Sequence, residues 1–254
     1  TEGDQMEAVY GINAVRILLA GVHTPLKKII IANGRGGVSV REIIDAARSK
    51  NIPLEWKERA YLDRLAGGTD HQGVAALREP FRYAGLDDVL KNRSPGFSTD
   101  FIVILDSILD PHNLGSIIRT SHCLGANGII LPADRAAQVT SAVIKVSAGS
   151  AAQLPIACVT NLARVIDELK EKGFWVFGAD AHEGGSIRQH DFRTSTALIL
   201  GGEAKGMRRL IRKKCDFLVT IPMTRGFDSL NVAVAAGIIQ YEILLQRIAK
   251  NDDN

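Results

Sequence analysis

The chain has 254 residues, 46% hydrophobic and 23% charged, and its 31 Lys and Arg against 28 Asp and Glu leave a net charge of +3. That composition excludes a disordered chain and a strongly basic nucleic-acid arm, and the length suffices for two domains. The charge is spread evenly: residues 1–83 carry 12 basic and 10 acidic side chains, residues 84–254 carry 19 and 18. Cys123, Cys158 and Cys215 stand far apart with no CxxC pair, so neither a disulfide framework nor a zinc site is expected, and a reducing cytoplasm is the expected location. No run approaches 18 uninterrupted apolar residues, so no transmembrane helix is predicted. The acidic start TEGDQMEAVYG does not read as a secretory signal.

In chain order, the apolar spacing predicts a helix over Val9–Ala20, a buried strand at Lys28–Ala32 and a helix over Val40–Ser49. A strand at Pro53–Trp56, a helix at Tyr61–Ala66 stopped by Gly67-Gly68, and a strand at Gly73–Leu77 complete a small α/β unit. Residues 84–99, rich in Pro, Gly, Asn and Ser, read as a linker with a short helix at Leu86–Val89. Strands and helices then alternate more strongly. The strands are Phe101–Leu105, Gly128–Leu131, Leu154–Val159, Trp175–Ala179, Ala197–Leu200 and Phe217–Ile221. The helices are Asn113–Leu124, Ser141–Ser147, Leu162–Lys172 and Asn231–Gln246. Such alternation implies an α/β fold with a parallel sheet covered on both faces.

The common nucleotide and zinc motifs fail. Gly201–Gly206 (GGEAKG) is neither GxGxxG nor GxxxxGK[ST], so no Rossmann site is supported. His182-Glu183 begins HExxH, but Ser186 stands where the second histidine is needed. Three other segments stand out. In Asp106–Gly125, after a strand that ends at Leu105, the chain turns at Asp110-Pro111-His112-Asn113 into a helix carrying Gly115 and Arg119, with Asn113 as its expected cap. In Leu198–Met207 an apolar strand runs into Gly201, Gly202 and Glu203. In Phe217–Ile238 a strand ends in Ile221-Pro222-Met223, and Ser229-Leu230-Asn231 opens a helix of small residues, Ala233, Ala235, Ala236 and Gly237. A dense cation cluster, Arg208, Arg209, Arg212, Lys213 and Lys214, follows the glycine-rich turn. A charge run is usually a solvated helix face, but this position favours phosphate contact.

Together the three segments resemble the SpoU (TrmH-like) family of RNA ribose 2′-O-methyltransferases. Asn113-Leu114-Gly115 with Arg119-Thr120 is similar to that family's first motif. Leu200-Gly201-Gly202-Glu203 with Gly206-Met207 is similar to its second, and Ile221-Pro222-Met223 with Ser229-Leu230-Asn231-Val232 to its third. Val9–Val15 and His71-Gln72-Gly73 resemble an L30e-like RNA-binding domain of the subfamily that methylates a guanosine of large-subunit (23S) rRNA. One departure is Ala233, where many members carry a second serine.

The resemblance implies an L30e-like substrate domain over 1–83, a linker over 84–99 and a SPOUT-class α/β trefoil-knot methyltransferase domain over 100–254. It implies S-adenosylmethionine held by Leu200, Gly201, Gly202, Ile221, Met223 and Leu230, with no metal. It gives Arg119 the central chemical role, with Asn113 and Glu203 orienting Arg119 and the loops, and Ser229 and Asn231 contacting the ribose or ordering the knot; RNA contact is expected of Arg208, Arg209 and Arg212 in the cation cluster. A 2′-hydroxyl is a poor nucleophile, and an arginine holds its proton tightly, so Arg119 is expected to position the target phosphate and stabilise the developing alkoxide, with the alternative that it accepts the proton left open. The implied partners are ribosomal RNA or the assembling large subunit and a second copy of the chain, with no membrane. The implied dimer would give the Ala-rich face of the last helix a partner and place Arg119 at the other subunit's cofactor. The alternatives are another RNA target (a tRNA or a resistance-type rRNA site), or a non-catalytic ribosome-assembly protein that keeps the fold.

Overall fold

The computed structural model describes residues 6–20, 26–203, 205–224 and 229–252. Its elements are β1 (Glu7–Tyr10), α1 (Ile12–Ala20), β2 (Leu26–Ala32), α2 (Val38–Ser49), β3 (Leu54–Lys57), α3 (Arg59–Ala66) and β4 (Val74–Arg78), then α4 (Leu86–Lys91), β5 (Phe101–Asp106), α5 (Pro111–Cys123), β6 (Gly128–Pro132) and α6 (Ser141–Val146). There follow β7 (Ile156–Val159), α7 (Leu162–Glu171), β8 (Trp175–Ala179), β9 (Gly185–Ser186), β10 (Thr196–Gly201), α8 (Arg209–Lys214), β11 (Phe217–Thr220) and α9 (Val232–Asp252). By contacts the chain divides into two compact units, Thr1–Arg82 with Val139–Gln153, and Tyr83–Gln138 with Leu154–Asn254.

The first unit holds a four-stranded sheet in the order β1-β4-β2-β3, antiparallel except for the β2–β3 pair. Ile30, Ala32, Leu62, Ala75 and Leu77 form a core on one face. Val9 and Tyr10 belong to strand β1, not to the helix expected over Val9–Ala20, which begins at Ile12. Gly11 separates the two at φ +94°, a left-handed conformation that glycine adopts without steric cost and that ends the strand. Segment 139–153 belongs to this unit: Glu7, paired with the buried Arg78, accepts the Ser141 N–H at 2.6 Å.

The second unit holds a seven-stranded parallel sheet, β7-β6-β5-β10-β8-β11-β9. Its strands read as near-continuous apolar runs because both faces are covered. Ile102, Ile104, Ile130, Val176, Ala197 and Ile199 point to one face, packed with Val165, Ile166 and Leu169 of α7 and Ile211 of α8. Residues 84–99 are tied to this unit, with Val89 of α4 fully buried and Ala84 bridged to Ala157. Helix α5 starts two residues before its expected first residue. Asp110 is its cap, accepting the His112 N–H at 3.0 Å, with Pro111 in the first turn. Asn113 is therefore not the cap, and its amide is free for other partners.

Helix α9 packs along α5 through Ala236, Ile239, Gln240 and Ile243, all buried, and Gly237 faces Thr120. Of the small residues, Ala236 and Gly237 serve this packing within the chain. The exposed apolar stripe is a different one, Val234, Ile238, Tyr241, Leu245 and Ile248. The window Val232–Ala249 has a mean hydropathy of 1.4 and is long and apolar enough to cross a membrane by those measures alone. The test of uninterrupted apolar runs misses it because Gln240, Glu242, Gln246 and Arg247 break the run.

Candidate active site

In open parallel sheets, ligand sites form beyond the carboxyl ends of the strands. Here a cavity of about 390 Å³ opens beyond the ends of β8, β10 and β11. Its walls include Leu200, Gly201, Gly202, Ile221, Met223 and Leu230, the six positions expected to hold a cofactor. Glu203 and Ser229 also line it. The volume lies in the range of small-molecule sites, about 300–1,000 Å³.

The glycines are required by close backbone approach. A Cβ on Gly201 would overlap the backbone of Gly206 and Met207, and one on Gly202 would overlap the Ser107 carbonyl. The turn between them is closed by the Gly206 N–H donating to the Gly202 carbonyl at 2.8 Å. Such a wall presents peptide groups and apolar side chains, a lining that suits a flat, neutral heterocycle read by the backbone.

One residue from each sequence motif meets in a single hydrogen-bonded cluster. The amides of Asn113 and Asn231 both donate to Glu203 Oε1, each at 2.8 Å, and Asn231 Nδ2 also approaches Asn113 Oδ1 at 3.0 Å. Asn231 Oδ1 accepts the N–H groups of Ala233 and Val234, at 2.9 and 3.3 Å, so it caps α9 as well. The cluster thus ties the start of α5, the turn after β10 and the start of α9 to one carboxylate.

Arg119 is not part of that cluster. Six residues after Asn113 on α5, it lies about 120° around the helix. It is exposed, and its side chain makes no hydrogen bond or ion pair among the described residues. Within one chain Asn113 and Glu203 tie the loops together and make no contact with Arg119: their polar atoms engage each other and Asn231.

The cation cluster is largely engaged. Arg208 donates from Nε (2.6 Å) and from its backbone N–H (2.7 Å) to Asp106, which is fully buried. Arg212 pairs with Asp180 at 3.0 Å and Glu183 at 2.5 Å, and Lys214 with Asp167. These carboxylates hold the Arg212 guanidinium above its ordinary range, Glu183 contributing most. Arg209 and Lys213 are exposed and unpaired among the described residues.

Sequence reasoning missed one wall of the cavity, the loop Asp180-Ala181-His182, together with Lys205. Burial alone raises the Asp180 pKa, but the N–H groups of His182 and Glu183 and the Arg212 guanidinium outweigh it, so the carboxyl lies below its usual range. The available signal was position, at the carboxyl end of a parallel strand. No group of His, Cys, Asp and Glu able to hold a metal occurs among the described residues.

In the first unit, the two quoted motif segments also meet. Gln72 Oε1 accepts the Ile12 N–H at 3.0 Å, and Arg35 Nε donates to the Gln72 carbonyl at 3.0 Å. His71, fully buried, bonds Asp63 through Nε2 at 2.8 Å and accepts the Gly73 N–H on Nδ1.

Comparisons with known proteins agree with this geometry. Residues 100–241 match the SpoU rRNA Methylase family, and residues 8–84 match the family described as RNA 2′-O ribose methyltransferase substrate binding. A Bacillus subtilis (strain 168) protein named for the TrmH family of tRNA/rRNA methyltransferases, YacO, is 41% identical over 96% of this chain and 97% of its own length. The SpoU methyltransferase AviRb from Streptomyces viridochromogenes, solved in complex with the cofactor AdoMet, superposes with a TM-score of 0.77 at 27% identity, covering 95% of this chain and 90% of that one. A TrmH/SpoU tRNA-modifying enzyme from A. aeolicus is 31% identical with a TM-score of 0.56, and covers 64% of this chain and 81% of its own. The family match takes in the cavity and all three members of the hydrogen-bonded cluster, and the chain belongs to the SpoU methyltransferase family, in the α/β SPOUT fold class.

Proposed function

We propose that this protein transfers a methyl group from S-adenosylmethionine to a ribose 2′-hydroxyl of RNA, with a guanosine of large-subunit rRNA as the target, and that it works as a homodimer. The observation that carries the reading is the Asn113–Glu203–Asn231 cluster at the rim of a glycine-walled cavity. AviRb, similar over nearly the whole chain, was solved with AdoMet, and the lining here suits that molecule's adenine. Support for a large structured RNA comes from the substrate-binding match over 8–84. The tRNA-modifying enzyme reaches only 64% of this chain, whereas AviRb reaches 95%.

When bound, S-adenosylmethionine supplies a methyl group activated by its sulfonium. The chain's task is to hold the ribose oxygen in line and to stabilise the charge that develops on it. The three-residue cluster keeps the cavity rim in one geometry, because a shift of any of the three segments breaks a shared bond to Glu203. Ser229, exposed at the cavity, is placed to meet the ribose. Arg119 positions the target phosphate and stabilises the alkoxide. Since it faces away from its own chain's cluster, it acts at the partner's cavity. The exposed stripe Val234, Ile238, Tyr241, Leu245 and Ile248 repeats every three to four residues, the spacing of a helix face buried against another helix. A second copy of the chain is the occupant we assign to it.

The test is a map of ribose methylation in RNA from cells lacking the gene, with and without the gene restored. The reading predicts one missing 2′-O-methylguanosine in large-subunit rRNA that returns on complementation. An unchanged rRNA pattern, or a loss confined to tRNA, would contradict it.

A further inference from the structure

We propose that Arg212 is a positioning residue for the methyl-donor cavity, acting through Asp180 on the wall formed by Asp180, Ala181 and His182. This rests on the reading that the cavity takes S-adenosylmethionine. Helix α8 has six residues, too few to be stable alone, so its anchors decide where it sits. Arg208 and Arg212, four residues apart, reach Asp106 at the end of β5 and Asp180 just past the end of β8. Those are the two strands that flank β10, whose end carries Leu200 and Gly201. The segment therefore braces the cavity from both sides of β10.

On the β8 side, the links converge on one residue. Asp180 Oδ1 accepts the N–H groups of His182 and Glu183, both at 3.0 Å, while Oδ2 accepts Arg212 Nε. The Asp180 N–H itself donates to the Val219 carbonyl at 3.0 Å. Two residues beyond His182, Gly184 sits at φ +121°, where a Cβ would overlap the Leu218 carbonyl, so the loop lies directly on β11. Without the guanidinium, the carboxylate keeps its turn but loses its tie to α8. A side chain committed to two carboxylates has little left for a phosphate. The structure thus gives Arg212 a different task from RNA contact.

Steady-state kinetics of the full-length protein, varying S-adenosylmethionine and RNA separately, test this. Arg212→Gln should raise KM for S-adenosylmethionine about tenfold, leaving kcat at saturation and KM for RNA within about twofold. Arg212→Lys should recover part of the loss. Lys213→Gln, the same charge loss at the exposed neighbouring position, should leave KM for S-adenosylmethionine unchanged. Asp180→Asn should reproduce the Arg212→Gln shift, and the double variant should add nothing further, which keeps the test open if Arg212→Gln folds poorly. A rise in KM for RNA alone, or a fall in kcat with KM for S-adenosylmethionine unchanged, would overturn the proposal. Calorimetry separates the two levels. No binding of S-adenosylmethionine by the wild type overturns the cavity reading, whereas equal binding by wild type and Arg212→Gln overturns this inference alone.

Discussion

Two polar groups in the methyltransferase unit show opposite relations between sequence and structure. Asn113, Glu203 and Asn231 are scattered over 118 positions, yet they share one carboxylate oxygen. Arg208, Arg209, Arg212, Lys213 and Lys214 are adjacent, yet three of the five are drawn off to Asp106, Asp180 with Glu183, and Asp167. Local charge density therefore says little about how many charges face solvent. Carboxylates elsewhere in the fold, from the buried Asp106 to the exposed Asp167 and Glu183, decide that number.

The largest expected effect falls on the arginine that belongs to neither group. Arg119→Ala should cut methyl transfer by about 100-fold or more while leaving calorimetric binding of S-adenosylmethionine intact. Near-normal turnover would remove Arg119 from the chemistry. Within the cation cluster, Arg208→Ala should lower stability by about 2 kcal/mol, since the buried Asp106 loses a charged hydrogen bond from a partly exposed partner. Arg209→Ala should change stability by less than about 0.5 kcal/mol but reduce the salt slope of RNA binding by about one unit. Equal losses of stability would show that the two arginines are not distinguished as described. In the hydrogen-bonded group, Asn231→Ala removes both a helix cap and a rim bond and should cost about 1–2 kcal/mol by denaturant unfolding. No loss there would mean that the group does not hold the start of α9.

The smallest effect is one of pH. Burial pushes the Cys215 thiol up to about 11, so above pH 9 the unfolded chain releases a proton that the folded chain keeps. The folded state then binds more protons than the unfolded one, and its stability falls as pH rises from about 9 to 11. Cys215→Ala should flatten that part of the stability curve, and in the wild type a thiol reagent should modify the exposed Cys123 well before Cys215.

The sequence shows which parts of this were legible. The alternation of apolar strands and helices after Phe101 reports burial on both sheet faces, and it places β5, β6, β8 and β10 within a residue or two. The cavity wall was legible through the resemblance of the segments around Leu200–Glu203 and Ile221–Leu230 to family motifs, while Gly201 and Gly202 by themselves mark only close backbone approach. The expected helix over Val9–Ala20 takes in Val9 and Tyr10 because Val9 groups with Ile12, Ile17 and Leu18 on one helix face, whereas Gly11 turns the chain between strand and helix. Asp180–His182 stayed hidden for a topological reason. Only the order β5-β10-β8-β11 brings that loop to the cavity, and strand order is set by long-range packing. Neither Arg208–Asp106 nor Arg212–Asp180, 102 and 32 residues apart, has a local pattern to read.

The central claim is that each active site joins one chain's cavity to its partner's Arg119. Mixing two inactive proteins tests it most directly: Arg119→Ala, with an intact cavity, and Leu230→Trp, with the cavity filled but Arg119 present. After subunit exchange, half of the dimers should be mixed and each should hold one complete site. Methyl transfer should then recover to about a quarter of the wild-type rate, as two-fold symmetry dictates. If both variants form dimers and exchange, yet no mixture transfers methyl groups, Arg119 serves its own chain and the shared-site account is wrong.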